Sequence, residues 1–285
     1  MSAREWAAGK LFLSAALLSS GVTVLILGFM VAMALPLLSD GGLALFVQPW
    51  NPRQGMYGIY PLIAATSVIS VLSILMAFPV SLGCAGFISL MAPRPLRRTF
   101  RRLVEMMTSI PTVIYGFVGI FLLVPIVREF FQQGSGMCIL SASLMLSVLI
   151  APTMIIFFCD GFARVPASYG EAADALGADR AQKLLYVMLP AARTGIVTGV
   201  ILAFARAVGD TLIALMIAGN AAQVPQSLLD SARTLTAHIA LVIAADYESP
   251  EFRSIFACGV VLYLFTTVVI VVVRRLVLQE GGPRA

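Results

Sequence analysis

The chain has 285 residues, of which 60% are hydrophobic and only 12% charged, with a formal net charge of +5. Soluble domains carry roughly 25% charged residues, so a fold covered by its own polar surface is excluded and the chain reads as an integral membrane protein. The basic balance does not indicate nucleic acid: the cations sit in short blocks beside apolar runs, the pattern of membrane topology, and no nucleic-acid motif is present.

Apolar runs that can cross a bilayer need about 20 residues, and six meet that length, near 11–38, 61–91, 109–131, 137–160, 194–219 and 254–276. Arg4 and Lys10 precede the first run, and Ala32-Met33-Ala34 resembles a cleavage site. Its apolar core exceeds the roughly 7–15 residues of a signal segment, so it is expected to be a retained span. Residues 41–61 follow it, GGLALFVQPWNPRQGMYGIYP, with the Gly, Pro and aromatic content of an interfacial loop. The four cysteines (Cys84, Cys138, Cys159 and Cys258) are far apart, in or beside apolar runs, and read as packing residues. With no CxxC and a single histidine, His238, neither a metal site nor a cofactor is expected.

Lys and Arg fix an expected orientation. With the N-terminus inside, the inner segments hold Arg4, Lys10, the block Arg94, Arg97, Arg98, Arg101 and Arg102, then Arg164, Arg180, Lys183, Arg193, Arg274, Arg275 and Arg284. The outer segments hold only Arg53, Arg128, Arg233 and Arg253. That asymmetry places both termini in the cytoplasm. Residues 1–58 then form one span and an outer loop, 59–276 a five-span core, and 277–285 a cytoplasmic tail. The outer segment 220–253 contains SLLDSARTLTAHIALVIAAD, whose apolar spacing predicts a helix. A re-entrant helix lining an outer vestibule and an amphipathic surface helix both fit, with His238 on the polar face.

Residues 165–192, VPASYGEAADALGADRAQKLLYVMLPAA, are a polar island in this apolar chain. Pro166 and Ser168 can start a helix, with Glu171 in its first turn, where a carboxylate suits the positive helix end. Gly177 permits a sharp turn, Asp179 can cap a second helix running to Met188, and Pro190 is expected to end it. Two such short helices cannot bury a core of their own, and small alanines allow close approach, so docking against another protein is their natural use.

Glu171-Ala172-Ala173, Gly177, Val187, Leu189 and Pro190 occur here in the order and spacing of the EAA loop, so the segment resembles that of ABC-importer permeases. That resemblance implies coupling helices seated on an ATPase subunit and an all-α, six-span type I (MetI-like) permease fold. A phosphate-binding P-loop needs Gly-Lys-Ser/Thr, and neither Lys10 nor Lys183 supplies it. ATP hydrolysis is therefore expected on a partner chain, and no catalytic residue on this one.

The next run, TGIVTGVILAFARAVGDTLIALMIAGN, carries Arg206 and Asp210. As a continuous helix rising about 1.5 Å per residue, it would place Arg206 near mid-membrane and Asp210 one turn on, along the same face. Each ion costs ~2.5–3.5 kcal/mol at a span's centre, so both are expected to face protein or a wet path and to neutralise each other in part. A purely structural pair and an oxyanion path both fit that cost. In the second reading Arg206 offers its donor fork to the anion, while Asp210 orients it and prevents trapping.

Arg206-Ala-Val-Gly209-Asp210-Thr211 resembles the Arg-Ala-x-Gly-Glu-Thr segment of phosphate-uptake permeases, with Asp210 in place of Glu. Residues 110–119, IPTVIYGFVG, and the pair Ala218-Gly219-Asn220 and Arg233-Thr234-Leu235-Thr236 are also similar to that subfamily. The resemblance implies a substrate path at Arg206, Asp210, Thr211 and Arg233, and coupling through Glu171, Ala172, Ala173, Gly177, Leu189 and Pro190. It also implies a second permease, two ATPases, an external phosphate-binding protein and a bacterial or archaeal cytoplasmic membrane. Importers of sulfate, molybdate or tungstate share this architecture. A stand-alone secondary transporter predicts inverted repeats with charges in both halves, and no such repeat is visible. A non-transporting scaffold would leave the Arg206–Asp210 pair without a purpose.

Overall fold

The computed structural model describes residues 3–39, 42 and 44–279, and it is almost entirely helical. In chain order come α1 (Ala3–Ser39), the short α2 (Ala44–Val47), the hairpin β1 (Trp50–Asn51) and β2 (Met56–Tyr57), then α3 (Tyr60–Gly86), α4 (Arg94–Thr108), α5 (Thr112–Val118), α6 (Val124–Phe131) and α7 (Ile139–Ala163). The second half holds α8 (Ala167–Ala175), α9 (Arg180–Gln182), α10 (Leu189–Ala191), α11 (Arg193–Gly209), α12 (Leu212–Ile217), α13 (Leu235–Val242) and α14 (Pro250–Gln279). Wider π turns at 87–91, 119–123 and 183–188 extend α3, join α5 to α6 and join α9 to α10.

Among the described residues, five helices are long and apolar enough to cross a membrane: Ala8–Leu37, Tyr60–Met91, Thr112–Phe131, Ile139–Ala163 and Pro250–Arg275. They coincide with five of the six expected runs to within a few residues. The expected span at 194–219 is not one helix. α11 stops at Gly209, Asp210 takes an extended conformation (φ −71°, ψ 129°), and α12 restarts two residues later. A sixth crossing therefore exists only as a bent unit, Arg180–Ala191 with Arg193–Gly209, which turn through 76° relative to each other.

α7 is the central post: 67% of its most apolar stretch is buried, against 22% in the last span. α3 and α11 pack along it, and Leu146, Leu149, Ile150, Met154 and Phe158 form the middle of the core. α1 lies outside this core against α14, through the edge-to-face pair Phe29–Phe256 at 5.8 Å and the buried Ala34. Cys138, Cys159 and Cys258 are buried as expected of packing residues, but Cys84 is exposed on α3.

The α7–α11 seam depends on two facing glycines. A Cβ added at Gly195 would lie 2.6 Å from the Gly161 Cα, and at Gly199 a Cβ would lie 2.9 Å from that of Phe157. Backbone cannot swing aside as a side chain can, so Gly195→Ala must separate the helices and forfeit packing worth about 1–3 kcal/mol. We expect a lower unfolding temperature of the purified chain for Gly195→Ala. Gly28→Ala, at a site with nothing within 4 Å, is the matched control and should not lower it. Equal melting of the two variants would refute the close approach.

The segment 220–253 contains the expected helix, but not as an amphipathic surface helix. Ala232 pairs with Gly219, and Leu235, Thr236, Ala237 and His238 at the start of α13 are all buried. His238 is therefore not on a polar face. Its Nε2 lies 3.1 Å from the Ser254 Oγ, and its ring meets Trp50 edge-on at 4.3 Å, fastening the outer hairpin to α13 and α14. Burial, with the Arg233 charge behind it, pushes the imidazole down to about 3, so it stays neutral. Of the predicted tail, residues 280–285 lie outside the described residues.

Candidate functional site

The helix break at Gly209–Asp210 builds the site. The Asp210 Oδ2 accepts the backbone N–H of Ile213 at 2.9 Å and caps α12, while its carbonyl accepts the Thr236 hydroxyl at 2.7 Å. A carboxylate that bonds a backbone donor three residues on gives the chain an alternative to continuing the helix. The same break takes Asp210 off the face that it would share with Arg206. The expected ion pair is not formed: no Arg206–Asp210 contact within 4.0 Å exists among the described residues. The Arg206 Nη1 instead donates to the Thr153 Oγ1 at 3.2 Å on the central helix α7.

Arg206, Asp210 and Thr211 nevertheless line one cavity of about 440 Å³, together with Thr112, Leu149, Ala205, Gly209 and Leu212. It sits at the C-terminal end of α11, where the span breaks, with apolar residues and a few convergent polar groups in its lining, as ligand sites are built. Its charges are one guanidinium and one carboxylate, the latter with an oxygen engaged on α12. An oxyanion entering it meets a planar donor fork and, nearby, a negative charge that opposes permanent retention.

Arg233 is not part of this cavity. Its Nε donates to the Asn220 carbonyl at 2.9 Å, and Asn220, at φ +64°, is held by Ala232 and Leu215. Arg233 thus clamps the turn between α12 and α13. Two groups beyond the expected set bear on the site: Thr112 in the cavity lining, and Thr153, outside that lining, which anchors Arg206. Thr112 opens α5 within the IPTVIYGFVG motif, and Thr153 follows Pro152 in the middle of an apolar span, where a hydroxyl is itself a signal.

The polar segment 165–192 forms the expected pair of short helices, with two differences in detail. Pro166 caps α8, but Glu171 falls beyond its first turn. Gly177 takes φ +75°, its N–H bonds to the Asp174 carbonyl at 3.0 Å, and the Ala178 N–H bonds to the Ala173 carbonyl at 3.0 Å. Those two bonds are the double stop of a helix ended by a left-handed residue. Asp179 caps α9, with its side chain on the Gln182 N–H and the Gln182 side chain returning to the Asp179 N–H. The helix does not end at Met188. A π turn carries it through Leu189 and Pro190 to Ala191, because the wider turn tolerates the missing proline N–H.

Lys183 pairs with Asp174 at 2.7 Å across the corner, and Arg180 reaches the Met91 carbonyl at 3.3 Å, joining the segment to α3. Ala173 faces inward, while Glu171, Ala172, Gly177 and Pro190 are exposed and Leu189 is half-buried. Leu176 is 89% exposed and Tyr186 77%, a large apolar display for a segment this polar.

A bundle of apolar spans carries a charged cavity at a helix break and leaves a two-helix corner exposed, the layout of a membrane transport subunit. The family of binding-protein-dependent transport system inner membrane components matches residues 77–279, and the chain belongs to that family. It is 35% identical over 230 residues to the probable ABC transporter permease protein YqgH of Bacillus subtilis, covering 80% of this chain and 74% of that protein. It is 32% identical over 252 residues to the phosphate transport system permease protein PstC of Pasteurella multocida, covering 81% and 78%. The probable phosphate transport system permease protein PstC of Methanocaldococcus jannaschii is 30% identical, covering 86% and 85%. Among solved structures, the inward-facing MetNI methionine ABC transporter superposes with a TM-score of 0.57 at 20% identity, over 78% of this chain and 94% of that one. The shared fold is thus that of a MetI-like permease.

Proposed function

We propose that this chain is the permease subunit of an ABC importer that carries inorganic phosphate into the cytoplasm. The observation that carries the proposal is Arg206 in the cavity at the Gly209–Asp210 break, held out by Thr153 and not neutralised by direct pairing with Asp210. The relatives named as phosphate transport permeases support the same cargo. Arg206 supplies the anion's donor fork; Thr211 and Thr112 offer hydroxyls; Asp210 shapes the break and favours release. Arg233 positions the outer turn beside the path.

The segment 165–192 is the docking point for a separate ATPase, with Glu171, Ala172, Gly177 and Pro190 on the contact surface and Ala173 and Leu189 setting its shape. Two permeases, identical or homologous, enclose the path; two ATPases drive it; and an external phosphate-binding protein delivers the anion. Residues 59–276 are the transport core, 1–58 an added peripheral span and outer loop, and both termini face the cytoplasm. Bound movement of phosphate is not accompanied by covalent chemistry on this chain.

The test is uptake of labelled phosphate by the assembled complex, competed with arsenate, sulfate and molybdate. Competition by arsenate alone is expected, because it matches phosphate in charge and shape. Stronger competition by sulfate or molybdate would reassign the cargo to another oxyanion. Purification without an ATPase subunit, with transport intact, would replace the importer by a stand-alone transporter.

A further inference from the structure

α4 has a face that neither the cavity nor the coupling corner uses. The Arg97 Nη2 donates to the Ser89 carbonyl at 2.6 Å near the end of α3, and the Arg101 Nη2 donates to the Asp160 Oδ1 at 2.9 Å near the end of α7. The Tyr115 hydroxyl, at the start of α5, donates to the Met107 carbonyl at 3.1 Å. These three bonds lay α4 across the ends of three spans, so it stays at one boundary of the apolar bundle along its whole length. Val104 is its one buried residue.

The remaining surface divides into two rows. Arg94, Arg98 and Arg102, four residues apart, fall on one side of the helix. All three are exposed, and their side chains make no hydrogen bond or ion pair among the described residues. Leu96, Phe100, Leu103 and Met107, spaced 4, 3 and 4, form an exposed apolar row on another side. That row runs on into exposed Phe87, whose ring meets Phe100 at 5.8 Å, and towards exposed Val113, Ile114 and Phe117 on α5.

We propose that α4 is a binding site for anionic phospholipid, in which Arg94, Arg98 and Arg102 hold headgroup phosphates while Leu96, Phe100, Leu103 and Met107 enter the acyl layer. A guanidinium presents parallel donors to phosphate oxygens, and long arginine stems let the charge reach headgroups while the helix sits lower. Apolar and cationic rows lie within one helix diameter of about 10 Å, the depth over which a leaflet passes from acyl chain to phosphate. A protein partner would have to present acidic and apolar groups in that same order; the membrane edge beside these spans already does.

The readout is retained lipid, not uptake, so the test is independent of the cargo. The whole transporter complex, taken from nanodiscs of equimolar phosphatidylglycerol and phosphatidylcholine, is examined by native mass spectrometry. Wild type should retain phosphatidylglycerol preferentially, and the combined variant Arg94→Gln, Arg98→Gln, Arg102→Gln should lower that preference by about tenfold or more. The matching triple lysine variant, which keeps the charge, should retain most of it. An unchanged preference in the glutamine variant would overturn the proposal. So would loss of the ATPase or second permease from that variant, which would assign the arginine row to a protein partner.

Discussion

Arg206→Ala should reduce phosphate uptake by at least about a hundredfold while the complex still assembles. Removing the guanidinium leaves an oxyanion in an apolar-walled cavity without its charged donors. Hydrogen bonds to charged groups contribute about 1.5–3 kcal/mol each, and a fork supplies two. Arg206→Lys keeps the charge but loses the planar fork, and should fall between wild type and alanine. Thr153→Val removes only the hydroxyl that holds Arg206 at 3.2 Å, so it should raise the half-saturating phosphate concentration several-fold and leave the alanine-type loss unmatched. Co-purification of the ATPase with each variant separates transport from assembly. Undiminished uptake in Arg206→Ala would end the anion-path assignment, whatever the fold.

Gly177→Pro should disconnect ATP hydrolysis from transport. Proline holds φ near about −65°, whereas Gly177 stands at +75° and donates its N–H to the Asp174 carbonyl. The variant therefore loses both the left-handed stop and one of its two closing bonds, and α8 no longer meets α9 at a fixed corner. ATPase activity should persist, with phosphate moved per ATP falling about tenfold or more, as follows from strain and a lost stop together exceeding ~2 kcal/mol. Gly177→Asn, which tolerates the left-handed region, should retain most of the coupling. Normal coupling in the proline variant would remove the docking role from this corner.

The spans were legible because hydrocarbon thickness dictates their length, and the corner because Gly177, Asp179 and Gln182 specify their own hydrogen bonds. Other features depended on partners far away in sequence. Asp210 reads as the fourth residue after Arg206 only while α11 continues; the Ile213 N–H and the Thr236 hydroxyl divert it. His238 sits in a pattern that suits a surface helix, and only Trp50 and Ser254 reveal it as a buried fastener. Pro190 signals a helix end, yet the π turn before it absorbs the missing donor. Thr153 gave a weak sign as a hydroxyl in an apolar span, but its role depends on Arg206 reaching across from α11.

The 76° turn between Arg180–Ala191 and Arg193–Gly209 gives the proposed docking corner and α11 the shape of a bent lever. Arg206 stands 13 residues beyond Arg193, about 20 Å along the long arm at 1.5 Å per residue. A swing of about 10° at the short arm would then displace the guanidinium by about 3.5 Å on that radius, comparable to its whole separation from the Thr153 hydroxyl. A stroke of that size, carried along α11, would suffice to release the Arg206–Thr153 hydrogen bond and to re-aim the cavity's cation.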